Sequence, residues 1–269
     1  MTGKKGYRID RLDLNRRMVR ASAAVTRRKN TIHSLSEVDI SVPRRLIRDH
    51  REAAGQKISF TAYLVTCLAR VVGENPEFNS FIKGNRLVLL DDVTVSVLIE
   101  RELDGKSVPE PVGIREAQRK TCAQIQDEIR KAKDIDGNKL GDLSDITWLK
   151  LIPSFMLKTF VRMASRNIAM ARKFGKVAVT ALGMIGREPG WFIPHGSATV
   201  LMTVGGITGK VIEKDDGFES REYLSITYSF DHDIIDGAPA ARFIRQLNDQ
   251  IRSGEILRQE LGKKPEPGS

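Results

Sequence analysis

Apolar and polar residues alternate most clearly near the C-terminus, where Leu224, Ile226 and Tyr228 are interleaved with Ser225, Thr227 and Ser229. A period-two run so rich in β-forming residues predicts a half-buried strand. Beyond it the period changes. Asp236-Gly237 breaks the strand, and Ala238 to Leu247 has helical spacing with Pro239 in its first turn. His232 is thereby placed at or just past a strand end, between strand and helix, where side chains face clefts.

The rest of the chain predicts a mixed set of elements. Residues 8–25 read as a helix with Leu14, Met18, Ala21 and Val25 on one stripe, and 31–40 as a strand. A helix over 42–54 is stopped by Gly55, and Ser59 or Thr61 caps a largely apolar helix over 62–73. Gly84-Asn85 bends a short hairpin, and the β-branched run from Val93 to Glu100 fits the middle of a sheet. Asp104-Gly105, Pro109 and Pro111 predict a loop, followed by a helix over 114–133. From Trp148 to Met163 helical spacing puts Leu149, Ile152, Met156, Phe160 and Met163 on one face, with Lys150, Ser154, Lys158 and Arg162 on another. Strands follow over 176–180 and 198–204, and Gly205 to Gly209 is expected to bend the chain into a further strand over 210–213. The sum is an α/β protein with a mixed β-sheet and helices packed on one side of it.

Composition narrows the setting. The chain has 269 residues, 41% hydrophobic and 29% charged, enough to bury a sizeable core as one large domain or as two small ones. No apolar run is long enough to span a bilayer and the first residues lack a signal-like segment, so a cytoplasmic location is expected. Cys67 and Cys122 lie in helix-like segments without ligand spacing and are expected to be reduced, packed thiols. The loop from Asp134 to Asp142 resembles a calcium loop but has Asp145 where the closing glutamate belongs, so no metal is expected. His33 and His50 carry no convergent ligand spacing and read as a strand-packing and a solvated residue. A net charge of +10 calls for an anionic partner. Spread-out cations, few aromatics and no nucleic-acid-binding motif point away from nucleic acid, towards an anionic cofactor such as coenzyme A or a solvated basic surface. The apolar stretch around 148–170 reads as core, with a partner-binding or membrane-surface helix as the alternative.

An imidazole suits the abstraction of a proton from a thiol or hydroxyl, and a carboxylate four residues on can orient it. Spacing alone favours a structural histidine, because such pairs arise often by chance. The whole segment from Leu224 to Phe243, with Asp231-His232, then Asp233 and the two apolar positions Ile234 and Ile235, Asp236-Gly237-Ala238 and a small-residue helix, resembles the signature of the catalytic domain of 2-oxo acid dehydrogenase acyltransferases. Asn15-Arg16-Arg17-Met18 with Ser22, Thr31-Ile32-His33, Glu37-Val38-Asp39-Ile40, Asn75-Pro76-Glu77-Phe78-Asn79 and the strand and turn from Ala178 to Gly186 are similar to further patterns of that family.

The resemblance implies a chloramphenicol acetyltransferase-like two-layer sandwich over residues 8–260, between a flexible N-terminus (1–7) and a polar tail (261–269), with a family-atypical helical insert at about 142–172. It implies a dihydrolipoamide acyltransferase-like enzyme that moves an acyl group between coenzyme A and a dihydrolipoyl-type thiol or other small acceptor. His232 would be the general base, Thr180 the hydroxyl that donates to the tetrahedral oxyanion, and Asp236 one end of a structural ion pair with Arg17. The family is trimeric with active sites between subunits, so a homotrimer is implied, with His232 and Thr180 from different chains. The alternative is a non-catalytic trimeric scaffold that kept the fold. Departures from the pattern are Asp233 where arginine is usual, Thr180-Ala181 for Ser-Asn, and Pro194-His195-Gly196-Ser197 for an Asn-Pro-Pro region. They put Asp233 beside the base and His195 near a channel position, where His195 reads first as a loop histidine; Gly237 of the matching Asp-Gly pair is a further candidate for lining or modulating the channel. No lipoyl group is expected on this chain, so a separate lipoyl-bearing protein is the expected partner if lipoamide is the carrier.

Overall fold

The computed structural model describes residues 6–10, 12, 14–55, 58–103, 106–134, 154–181, 188–215 and 217–262. Two long C-terminal strands, β7 (Val200–Lys214) and β8 (Gly217–Asp231), form the spine of a mixed sheet. Around them lie β1 (Thr31–Asp39), β6 (Val177–Ala181), β4 (Val95–Leu103) and β5 (Lys106–Ile114), giving the order β1-β8-β7-β6-β4-β5. β6 runs parallel to both β4 and β7, whereas the other pairs are antiparallel. The hairpin of β2 (Ser80–Lys83) and β3 (Arg86–Leu89) turns at Gly84, as its sequence predicts.

Alternation assigns the two faces. Val200, Met202, Val204, Leu224, Ile226, Tyr228 and Phe230 point into the main core, with Val95, Val97, Val177 and Val179. Against them pack α3 (Phe60–Glu74) and α7 (Gly237–Ser253), flanked by α2 (Ser41–Ala54), α4 (Cys122–Asp134) and α8 (Glu255–Glu260). α3 is buried almost throughout because its sequence is apolar on every side, and the Ser59 hydroxyl accepts the Ala62 N–H at its start. Phe243 of α7 stacks on Phe78 at 4.2 Å and meets Phe230 edge-on at 5.9 Å, which ties α7 to the end of β8. Cys67 and Cys122 are free and buried, and burial pushes the Cys122 thiol up to about 12.

Several expectations need correction. Residues 106–114, read as a loop, are strand β5; this edge position tolerates Pro109 and Pro111 because one side of an edge strand has no ladder to supply with N–H groups. The helix expected over 114–133 starts only at Cys122, after a 3₁₀ turn at Ala117–Arg119. Gly205-Gly206 does not turn the chain. It forms a bulge inside the continuous β7, between Val204 and Ile207, where the carbonyls of Gly190 and Glu188 press on positions that leave no room for a side chain. The N-terminal helix is shorter than expected, α1 (Leu14–Thr26). α1 packs through Leu14, Met18 and Ala21 on Leu157 and Val161 of α5 (Ser154–Ser165). The buried face of α5 is therefore Leu157 and Val161, not the face with Met156 and Met163, which are 49% and 69% exposed. Leu149, Ile152 and the calcium-like loop beyond Asp134 lie outside the described residues. A last helix, α6 (Ile168–Phe174), leads into β6. No described helix is long and apolar enough to cross a membrane.

Candidate active site

β8 ends at Asp231, and the chain crosses to α7 in five residues that are pinned from both sides. The Asp231 N–H donates to the Thr199 carbonyl (3.0 Å) and the His232 N–H to the Asn30 carbonyl (2.6 Å). The N–H groups of Ile234 and Ile235 both donate to the Asp231 carbonyl, closing a tight turn. The Asp231 carboxylate is buried and pairs with Lys29, whose ammonium also donates to the Ser197 carbonyl. A rigid turn thus presents the histidine.

His232 Nδ1 lies 3.0 Å from the carbonyl oxygen of Ile235. A carbonyl only accepts, so Nδ1 carries the proton and the lone pair of the neutral ring lies on Nε2. The side chain is 43% exposed, and Asp236 Oδ1 stands 3.7 Å from Nδ1. Asp236 is the N-cap of α7, yet its carboxylate makes no capping bond and is 85% exposed. A main-chain group, rather than the aspartate, orients the imidazole. Gly237 opens the helix behind it.

Of the other predicted site residues, Asp233 belongs to this turn, whereas Arg17, Thr180 and His195 come from other segments. Arg17 lies on α1, and the ionisable neighbour of Asp236 described in the chain is His232. Asp233 accepts from Asn30 Nδ2 at 2.8 Å. His195 stands beside His33, whose imidazole is lowered by burial and then by the neighbouring His195, and whose Nδ1 is 2.8 Å from Ser229 Oγ.

Thr180 is buried in β6, in register with Thr203 of β7, which is itself opposite Thr227 of β8. Three hydroxyls therefore form a row across neighbouring strands, on the face opposite the main core. The Thr203 and Thr227 hydroxyls are buried without a hydrogen-bond partner among the described residues. Sequence reasoning missed these two, because cross-strand register is not written in local spacing. The detectable signal was threonine at polar positions of two apolar strands.

Within one chain, Thr180 and His232 are far apart. Thr180 shares a row with Thr227, five positions before His232 and two strands away. Strand rise and spacing put them about 18 Å apart, more than the two side chains together span.

The family model of the 2-oxoacid dehydrogenases acyltransferase (catalytic domain) matches residues 13–144 and 168–257. The chain belongs to this family. It is 27% identical over 218 residues to the dihydrolipoyllysine-residue succinyltransferase component of the 2-oxoglutarate dehydrogenase complex of Staphylococcus saprophyticus, covering 79% of the chain and 43% of that relative. It thus spans less than half the length of that relative. Among solved structures, a probable dihydrolipoamide acetyltransferase from Listeria monocytogenes superposes with a TM-score of 0.71 at 17% identity, covering 92% of this chain and 95% of that one. The dihydrolipoamide acetyltransferase of Azotobacter vinelandii, studied for the role of a serine, a histidine and an asparagine in its catalytic mechanism, gives a TM-score of 0.67 at 19% identity, covering 94% and 95%. Both share the fold.

Proposed function

We propose that the chain is a coenzyme A-dependent acyltransferase acting as a homotrimer, with each active site built from His232 of one subunit and Thr180 of the next. The observation that carries this reading is the Nδ1–H bond to the Ile235 carbonyl, which leaves Nε2 of a part-exposed side chain as the acceptor for a thiol proton. His232 takes the proton from the thiol of coenzyme A or dihydrolipoamide. The sulfur attacks the acyl thioester carbonyl, and the resulting oxyanion accepts from the Thr180 hydroxyl. Collapse expels the other thiolate, which recovers the proton from Nε2. The acyl group moves directly, with no covalent enzyme intermediate. The 18 Å separation within one chain supports an inter-subunit site, and membership of a family whose relatives are named as acyltransferases supports the reaction class. The acceptor is a dihydrolipoyl-type thiol, free or on a separate lipoyl-bearing protein, or another small acceptor. We assign Asp236 to an ion pair with an arginine that forms on assembly, Arg17 being the residue the family pattern points to.

Acyl transfer from acetyl- and succinyl-coenzyme A to free dihydrolipoamide tests the proposal. His232→Ala should lower the rate by about 10²- to 10⁴-fold, with oligomer size by sedimentation unchanged. An undiminished rate would refute the assignment.

A further inference from the structure

α5 lies between the two segments that the family model matches, and it brings basic side chains to the catalytic turn. A cavity of about 380 Å³ opens between α1, α5 and the end of the sheet where β8 stops. Arg28, Lys29, Lys158, Arg162, Arg166 and Lys176 line it, against two carboxylates, Asp231 and Asp233. Asp231 is already paired with Lys29, and Asp233 is bonded to Asn30. Among the described residues, the side chains of Arg28, Lys158, Arg162 and Arg166 have no ion-pair or hydrogen-bond partner.

Lys176 supplies an independent sign of unmet charge. It is 7% exposed, its ammonium donates to the Ser165 carbonyl at 2.7 Å and sits 4.7 Å from the Phe81 ring centre, and no carboxylate lies within ion-pair distance among the described residues. Burial, then the charge of Lys29, lowers its pKa to about 8, with Asp231 opposing. A buried cation without a counter-ion is costly, and an anion in the cavity would remove that cost.

We propose that this cavity binds a phosphate-bearing anion, held by Arg28, Lys158, Arg162 and Arg166 with the buried ammonium of Lys176 beside them. Guanidinium forks and ammonium point charges match phosphate oxygens, and the excess of cations suits a group with two or more negative charges. The volume fits a diphosphate or a small phosphorylated molecule. The phosphates come either from coenzyme A or from a free phosphorylated ligand. The inference goes beyond acyl transfer and does not depend on it.

Calorimetric titration of the full chain with inorganic pyrophosphate at pH 7 and low salt is the test. One site per chain is expected, weakened about tenfold or more in the Lys158→Ala/Arg162→Ala double variant. Both positions are exposed, so an unchanged melting curve should accompany the loss. Arg48→Ala/Arg51→Ala on α2 serves as a basic-surface control and should bind as the parent does. Competition identifies the source: displacement of pyrophosphate by coenzyme A but not by pantetheine assigns the phosphates to coenzyme A, and no displacement by either assigns a free phosphorylated ligand. Absent binding, or equal binding by the double variant, overturns the proposal.

Discussion

If each active site joins two chains, two separately inactivated proteins should rescue one another. Thr180→Ala removes the oxyanion donor and should cost about 10²- to 10³-fold; His232→Ala removes the base. Neither variant alone turns over at a useful rate. In a cyclic trimer, an intact site needs a His232-bearing chain followed by a Thr180-bearing chain. Any trimer that contains both variants has one such junction, whichever variant is in excess, so about one third of its sites should work. Co-expression with two different tags and tandem purification isolates these mixed trimers. Their acyl-transfer rate per chain should recover to about one third of the parent's, at least roughly 30-fold above either variant alone. The magnitude follows from the sheet: the two residues lie about 18 Å apart in one chain, too far to meet around one thioester. Mixed trimers no more active than the single variants would refute the shared site.

Three further outcomes are expected. Phe243→Ala empties the stack on Phe78 and should cost about 3–5 kcal/mol in urea denaturation; a loss under about 1 kcal/mol would show that α7 is held elsewhere. Gly175 has φ +78°, and a Cβ there would lie 1.9 Å from the Thr94 carbonyl oxygen, so Gly175→Ala should lower stability by more than about 1 kcal/mol, read as a drop in melting temperature. Lys176 is held near pH 8 against an ordinary 10.5. Between those values the unfolded chain binds more protons than the folded one, so the penalty is present below pH 8 and is relieved as pH rises towards 10.5, by about 3 kcal/mol. Denaturation series should show that Lys176→Met lacks this rise, and parallel curves for parent and variant would contradict the placement of the ammonium.

The strand, turn and helix around His232 were legible because each rests on local signals: alternation up to Phe230, the Asp236-Gly237 break, and Pro239 in a first turn. What escaped was set by neighbours distant in sequence. Pro109 and Pro111 read as loop residues until the sheet order puts β5 at an edge. Gly205-Gly206 reads as a turn until the segment at Glu188–Gly190 is seen to press on it. α5 is apolar on more than one face, and only its contact with Met18 and Ala21 of α1 selects Leu157 and Val161. At the site, the aspartate four residues after the histidine looked like its orienter. The structure gives that task to the Ile235 carbonyl, which no sequence pattern marks.

That carbonyl belongs to the main chain, so no point mutation can delete it. A base oriented by a side chain loses its tautomer with one codon change; here the tie survives whatever residue occupies position 235, provided the turn closes. The flanking positions are thereby released from the chemistry. Asp233 faces Asn30 and the basic cavity, and can exchange one charge for another while His232 keeps the same nitrogen free. Such a turn lets its surroundings diverge, towards a new charge or a new ligand, without first changing which nitrogen of His232 is free.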